Sequence, residues 1–187
     1  MTRRLQSIDT PLFARPLDDT EDLAQMPYVG FTIWCAAFFF LFWGGIRAGV
    51  LMAVVPIVRF VVPVLKEAIE RPRPSEMLVE VSNQPGDFSF PSGHAFTAIL
   101  VYGLIFYLAG AHVPIRPMRY AIQAFCGWVI VVTALERVYV GHHWPSDVAG
   151  GLLRATVVLG VAVAADKRWS RLSDAVIASG STSISVD

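Results

Sequence analysis

The sequence predicts an all-α, polytopic membrane protein, a helical bundle of about five transmembrane helices. Two observations carry that prediction. Of the 187 residues, 55% are hydrophobic and only 16% charged, against about a quarter charged in an ordinary soluble domain. The deficit is also concentrated: Leu23 to Ile46 contains no Asp, Glu, Lys or Arg, and neither does Phe88 to Ile115. Each run is long enough for the roughly 20 apolar helical residues that cross a bilayer core. The same composition argues against disorder, collagen and a secreted disulfide scaffold. The 15 basic and 15 acidic residues cancel, so no global field favours nucleic acid as a partner.

In chain order, residues 1–26 form a polar N-terminal tail with Pro11, Pro16 and an acidic cluster of Asp18, Asp19, Glu21 and Asp22. Arg3 and Arg4 are not followed at once by an apolar stretch, so the reading is of no cleavable signal peptide and of an anchor that begins after Met26. Five apolar segments follow, at about 27–46, 48–68, 93–111, 119–137 and 147–165, each expected to span the bilayer as a helix. Residues 27–168 make one transmembrane domain and residues 169–187 a C-terminal tail. Cys35 and Cys126 lie inside apolar runs and are expected to be buried thiols behaving as small hydrophobes.

The longest polar stretch inside this domain is Glu70 to Pro91, where Pro72, Pro74, Pro85 and Pro91 oppose helix. With five spans, this loop and the connection from Tyr139 to Ser146 share one face of the membrane. Arg47, Arg116, Arg119, Lys167, Arg168 and Arg171 belong to the opposite face, and basic residues favour the cytoplasmic side. The expected location is therefore the plasma (inner) membrane with the two polar loops outside. The basic residues of the tail, Arg3, Arg4 and Arg15, weigh against that orientation.

Three clusters on the loop face hold polar side chains that packing alone does not require. They are Lys66 with Arg71 and Arg73; then Pro91-Ser92-Gly93-His94 at the head of an apolar helix; then Arg137, His143 and Asp147. Lys66, Arg73 and Arg137 supply three fixed cations, and the guanidinium fork matches phosphate oxygens. Ser92 and the Gly93 amide stand where a helix start attracts an anion. Asp147, in the first turn of the fifth helix, is placed to accept from one ring nitrogen of His143, freeing the other as a nucleophile. His94 is a second imidazole, able to protonate a leaving oxygen near neutral pH. Cations, a helix start, one activated histidine and one free histidine add up to phosphoryl transfer.

These clusters resemble the signature of the type 2 phosphatidic acid phosphatase superfamily, shared with vanadium haloperoxidases and bacterial acid phosphatases. That pattern is Lys, six residues, Arg-Pro; then Pro-Ser-Gly-His; then Ser-Arg, five residues, His, three residues, Asp. Here it reads Lys66 to Arg73-Pro74, Pro91 to His94, and Arg137, His143 and Asp147, in order and at matching spacing. Glu136 stands where the pattern has serine, which removes a hydroxyl and adds a negative charge beside Arg137.

The resemblance implies that residues 27–168 are a transmembrane phosphatase domain. It implies His143 as the attacking residue that becomes a phosphohistidine, and His94 as the acid toward the leaving group and the activator of water. Asp147 would orient His143, while Lys66, Arg73, Ser92, Gly93 and Arg137 would bind the phosphoryl oxygens. No metal or other cofactor is implied. The implied partners are membrane lipids and a lipid phosphate or diphosphate substrate. Short bacterial members suggest an isoprenyl diphosphate, with phosphatidic acid, phosphatidylglycerol phosphate and lipid A phosphate as alternatives.

Other readings of the same residues remain at this level. Lys66 taken alone would be a snorkelling lysine, and His142 competes with His143 as nucleophile. His94, His142, His143 and Asp147 are a zinc donor set, although Arg73 and Arg137 would repel the ion. A catalytically silent phospholipid binder needs the cations but not Asp147, and a transporter is the further alternative for charges inside a membrane protein. Arg59 lies deep in the second segment, either beneath the site and answered by an acid such as Glu136, or snorkelling from a helix distorted by Pro56 and Pro63.

Overall fold

The computed structural model describes residues 28–75 and 85–182, with side chains described through residue 176. The expected polar tail of residues 1–26 and the last residues of the Ser-rich end lie outside the described residues. The helices are α1 (Tyr28–Arg59), α2 (Val61–Ile69), α3 (Gly93–His112), α4 (Arg116–Tyr139) and α5 (Pro145–Thr182).

Helix α1 is two spans, not one. Gly45 has φ 74° and ψ −177°, a conformation open to glycine and costly for residues with a Cβ. On a straight helix Ala37 and Gly49 would be about 18 Å apart. Here a Cβ placed on Gly49 would lie 3.3 Å from the Ala37 carbonyl oxygen and 3.2 Å from the Leu41 Cβ. The chain therefore doubles back at Gly45, and residues 28–44 pack against the residues that follow. The break expected near residue 47 falls two residues earlier because Gly45 carries the non-helical backbone that makes the turn.

The second span runs on through α2 with an interruption at Phe60. Pro63 lacks an amide hydrogen, and its ring crowds the carbonyl of Arg59, so α1 ends there. Helix α2 ends at Glu70, whose left-handed backbone (φ 51°) sends its N–H back to the Lys66 carbonyl at 2.9 Å. The Arg71-Pro72 step that follows disfavours further helix.

Helix α3 is the central post and packs against α1, α4 and α5. Its contact with α5 depends on small residues, as membrane helix pairs commonly do. Gly151 and Ala155, one turn apart on α5, are both buried. A Cβ on Gly151 would stand 2.6 Å from the Ser92 carbonyl oxygen. On α3, a Cβ at Gly103 would collide with the Leu159 side chain at 2.7 Å. Close approach of α5 therefore sets the height of the α3 N-terminus.

The outside of the bundle is apolar and its polar groups are inside. Phe42 is 75% exposed and Ile57 69%, and Phe31, Phe38, Leu153 and Val161 face outward with them. Lys66, Glu136, Arg137, His143 and Asp147 are buried. That inversion suits a hydrocarbon solvent. Two expectations change here. Cys126 is buried, but Cys35 is exposed because its side of α1 points to the lipid, not the core. The fifth helix also does not stop near residue 165: α5 continues to Thr182, since no proline or glycine interrupts the chain between Gly160 and Gly180.

Candidate active site

The two loops predicted to share a face meet there. Arg71, just past α2, donates to Asp147 Oδ1 at 2.6 Å and to Ser146 Oγ at 2.9 Å. The Ser89 amide donates to the Arg71 carbonyl at 2.8 Å, and Arg73 donates to the His142 carbonyl. The Ser92 amide bonds the Asp147 carbonyl at 3.1 Å, tying the start of α3 to the start of α5.

Each helix start has its own local cause. Ser92 is the N-cap of α3, its hydroxyl accepting from the Ala95 amide at 3.4 Å. Asp147, three residues into α5 after Trp144, accepts from the Trp144 amide at 2.9 Å, the reach-back half of a capping box. Its carboxylate is fully buried (0% exposed) and also accepts from the Ser89 hydroxyl. With Arg71, Ser89 and Trp144 all donating to it, Asp147 is a fixed anion.

That anion faces a histidine. His143 Nδ1 lies 3.8 Å from Asp147 Oδ2, longer than a hydrogen bond but close enough to select which ring nitrogen faces the acid. The imidazole Nε2 is thereby left for chemistry. Burial, reinforced by the charges of Arg73 and Lys66, holds His143 below the ordinary histidine range against the opposing pull of Asp147. A neutral ring at pH 7 is what a nitrogen nucleophile requires. His94, in the first turn of α3, lies within electrostatic reach of His143, Arg137, Lys66 and Arg59. Its Nε2 is buried and has no hydrogen-bond partner.

Each expected phosphate-binding cation already faces a carboxylate. Asp87 bridges Lys66 and Arg73 with its two oxygens, and the Arg73 Nε–H also donates to the Asp87 backbone carbonyl at 2.8 Å. Burial alone would raise the Asp87 carboxyl, but the hydrogen bonds and charges of Lys66 and Arg73 prevail and hold it down at about 2. Glu136 takes Arg137 in a two-point fork, and the remaining Arg137 nitrogen stands 3.4 Å from His142 Nδ1.

The family model described as the PAP2 superfamily matches residues 44–171, more than half of the chain and all three clusters. The chain belongs to the PAP2 superfamily. It is similar to a solved PAP2 protein, the crystal structure of a transmembrane PAP2 type phosphatidylglycerolphosphate phosphatase from Bacillus subtilis. That match has a TM-score of 0.77 at 25% identity, covering 89% of this chain and 83% of that one. It is also similar to phosphatidylglycerophosphatase B of Bacillus subtilis (strain 168), 41% identical over 90 residues. Those residues are 47% of this chain, which spans 42% of the length of that relative.

Within this PAP2 bundle the sequence-derived residues come together: Lys66, Arg73, Ser92, Gly93, His94, Arg137, His143 and Asp147 all belong to the junction of the two loops with α2 and the ends of α3, α4 and α5. His142 is engaged with Arg137, while His143 is the ring beside Asp147. Glu136 pairs with Arg137, its chain neighbour, beside which the sequence sets its charge. Among the described residues, no three His, Cys, Asp or Glu side chains gather as a metal-binding group, so the zinc donor set does not converge.

Sequence reasoning missed Asp87, Ser89 and Trp144 as members of the site, and left Arg71 without a role. Asp87 and Ser89 lie just before the Pro-Ser-Gly-His run and Trp144 beside His143. Nearness in sequence to those motifs was the available signal.

Proposed function

We propose that this PAP2 chain is an integral membrane lipid phosphatase that hydrolyses a phosphate monoester or diphosphate headgroup through a phosphohistidine on His143. The observation that carries the reading is the buried His143–Asp147 pair beside a second imidazole and the cation cluster. His143 Nε2 attacks phosphorus as the bond to the leaving oxygen breaks, and His94 delivers a proton to that oxygen. Lys66, Arg73 and Arg137, with the Ser92 hydroxyl and Gly93 amide, hold the phosphoryl oxygens and stabilise charge in the transition state. His94, now a base, takes a proton from water, which attacks the phosphohistidine. Inorganic phosphate leaves and His143 is regenerated.

The substrate is a lipid whose tail stays in the bilayer while its phosphate enters from the loop face. Phosphatidylglycerol phosphate takes first place because both relatives are named for acting on it, ahead of the isoprenyl diphosphate that the short chain suggested. The basic residues of the opposite end support a cytoplasmic placement of that end, with the site facing outside the plasma membrane.

The test is phosphate release from detergent-solubilised phosphatidylglycerol phosphate, phosphatidic acid, lipid A phosphate and isoprenyl diphosphate. Turnover is expected to be fastest on phosphatidylglycerol phosphate, unaffected by chelators, and inhibited competitively by vanadate, which adopts the trigonal bipyramid of the transition state. Inactivity toward the whole panel would favour a silent phospholipid binder.

A further inference from the structure

The phosphate cradle in this structure carries an anion from the protein itself. Its two carboxylates are not equivalent. Glu136, held on Arg137, is 1% exposed and sealed within the bundle. The Asp87 side chain, bridging Lys66 and Arg73, is 52% exposed and lies on a loop at the mouth of the site. The backbone around Asp87 is pinned independently of its carboxylate, through the Arg73 bond to the Asp87 carbonyl and the Ser89 bond to the Arg71 carbonyl. Rotation of the side chain alone can therefore release both cations without moving the loop.

We propose that Asp87 is a specificity-determining residue, a resident carboxylate that occupies the Lys66–Arg73 half of the cradle and yields it only to a phosphate carrying more than one negative charge. The proposal rests on the reading of these cations as the phosphate cradle. A phosphodiester headgroup carries one charge, so exchanging it for the carboxylate brings no net Coulombic gain and costs the headgroup its hydration. A monoester carries roughly −1.5 to −2 at neutral pH, and a diphosphate more, so the exchange becomes favourable. The discrimination is useful in a bilayer, where diester lipids vastly outnumber monoesters and would otherwise sit on the cations. It works by penalising the wrong ligand as well as by attracting the right one.

The experiment compares purified wild type, Asp87→Asn and Asp87→Glu in detergent. Inorganic phosphate is titrated calorimetrically, and phosphatidylglycerol is added to the micelles as a competing diester during turnover. Asp87→Asn is expected to bind phosphate roughly three- to tenfold more tightly, the range released when half-exposed ion pairs no longer compete. It should also become sensitive to phosphatidylglycerol, while Asp87→Glu keeps the behaviour of the wild type. Unchanged or weaker phosphate binding by Asp87→Asn, with no diester inhibition, overturns the proposal. Should that variant not fold, the infrared difference spectrum of wild type on phosphate addition decides: a shifted carboxylate stretch supports displacement, and its absence refutes it. Failure of the wild type to release phosphate from any lipid monoester would instead strike the functional reading, leaving the titration to judge Asp87.

Discussion

The two ends of this bundle solve the same problem, turning a chain back into the membrane, by opposite means. At the loop end, residues 70–92 and 140–144 make the connections, and charge ties them to each other and to the helix starts: Arg71 on Asp147 and Arg73 on Asp87. At the other end, one glycine conformation at Gly45 and a three-residue connection from Val113 to Ile115 suffice, with the turn tucked so closely that a Cβ on Gly44 would lie 2.9 Å from the His112 ring. Backbone geometry is enough where only reversal is needed. Buried charge, which costs several kcal/mol per ion in desolvation, is gathered at the end where the proposed chemistry takes place.

The sharpest test of that division is His143→Ala, expected to lower kcat by about a thousandfold or more because the proposed nucleophile is gone. Its melting temperature in detergent should stay near that of the wild type. In the wild type, the acid limb of the kcat/KM profile should lie below the ordinary histidine value of about 6.5. The sign follows from the lowered His143 value, since the ring must be neutral to attack and burial postpones its protonation.

Gly151→Ala comes next. The added carbon would push on the Ser92 carbonyl, and shifting the α3 start by even part of an ångström is expected to cost up to about a hundredfold in kcat. Arg71→Ala leaves Ser89 and Trp144 on Asp147 but removes its charged partner. A loss of about tenfold in kcat is expected from one charge-assisted hydrogen bond, measured in the same phosphate-release assay. At the opposite end, Gly45→Ala should cost about 1–3 kcal/mol of stability, read from thermal unfolding, and leave kcat within about twofold for the molecules that remain folded. A large kcat loss from Gly45→Ala with little destabilisation would break the comparison.

The same division explains what was legible in the sequence. Spans announce themselves by composition, and the proposed site residues by spacing along single elements: His143 and Asp147 straddle the start of one helix, and Ser92 to His94 are contiguous. Pairings across elements are not written locally. Asp87 meets Lys66 from 21 residues away, and Arg71 meets Asp147 from 76. Both depend on how the loops fold over one another, so Asp87 drew no reading and Arg71 stood in its cluster without a role. The Glu136 departure and the charge it sets beside Arg137 were visible because the two residues are adjacent in the chain, whereas the two-point fork between them needed the side-chain geometry. Gly45 was nearly found, since the break was placed two residues late, but only the backbone angles show that it alone carries the reversal.

Helix α5 has a consequence of a different kind. Its 38 residues measure about 57 Å, nearly twice the ~30 Å hydrocarbon thickness, and the excess beyond Asp166 is studded with Lys167, Arg168 and Arg171. The molecule thus carries a stiff mast continuous with the helix that begins beside His143. A fluorescent dye attached along it would report the tilt of the whole bundle in a vesicle, and protease clipping of the mast would count how many copies point each way.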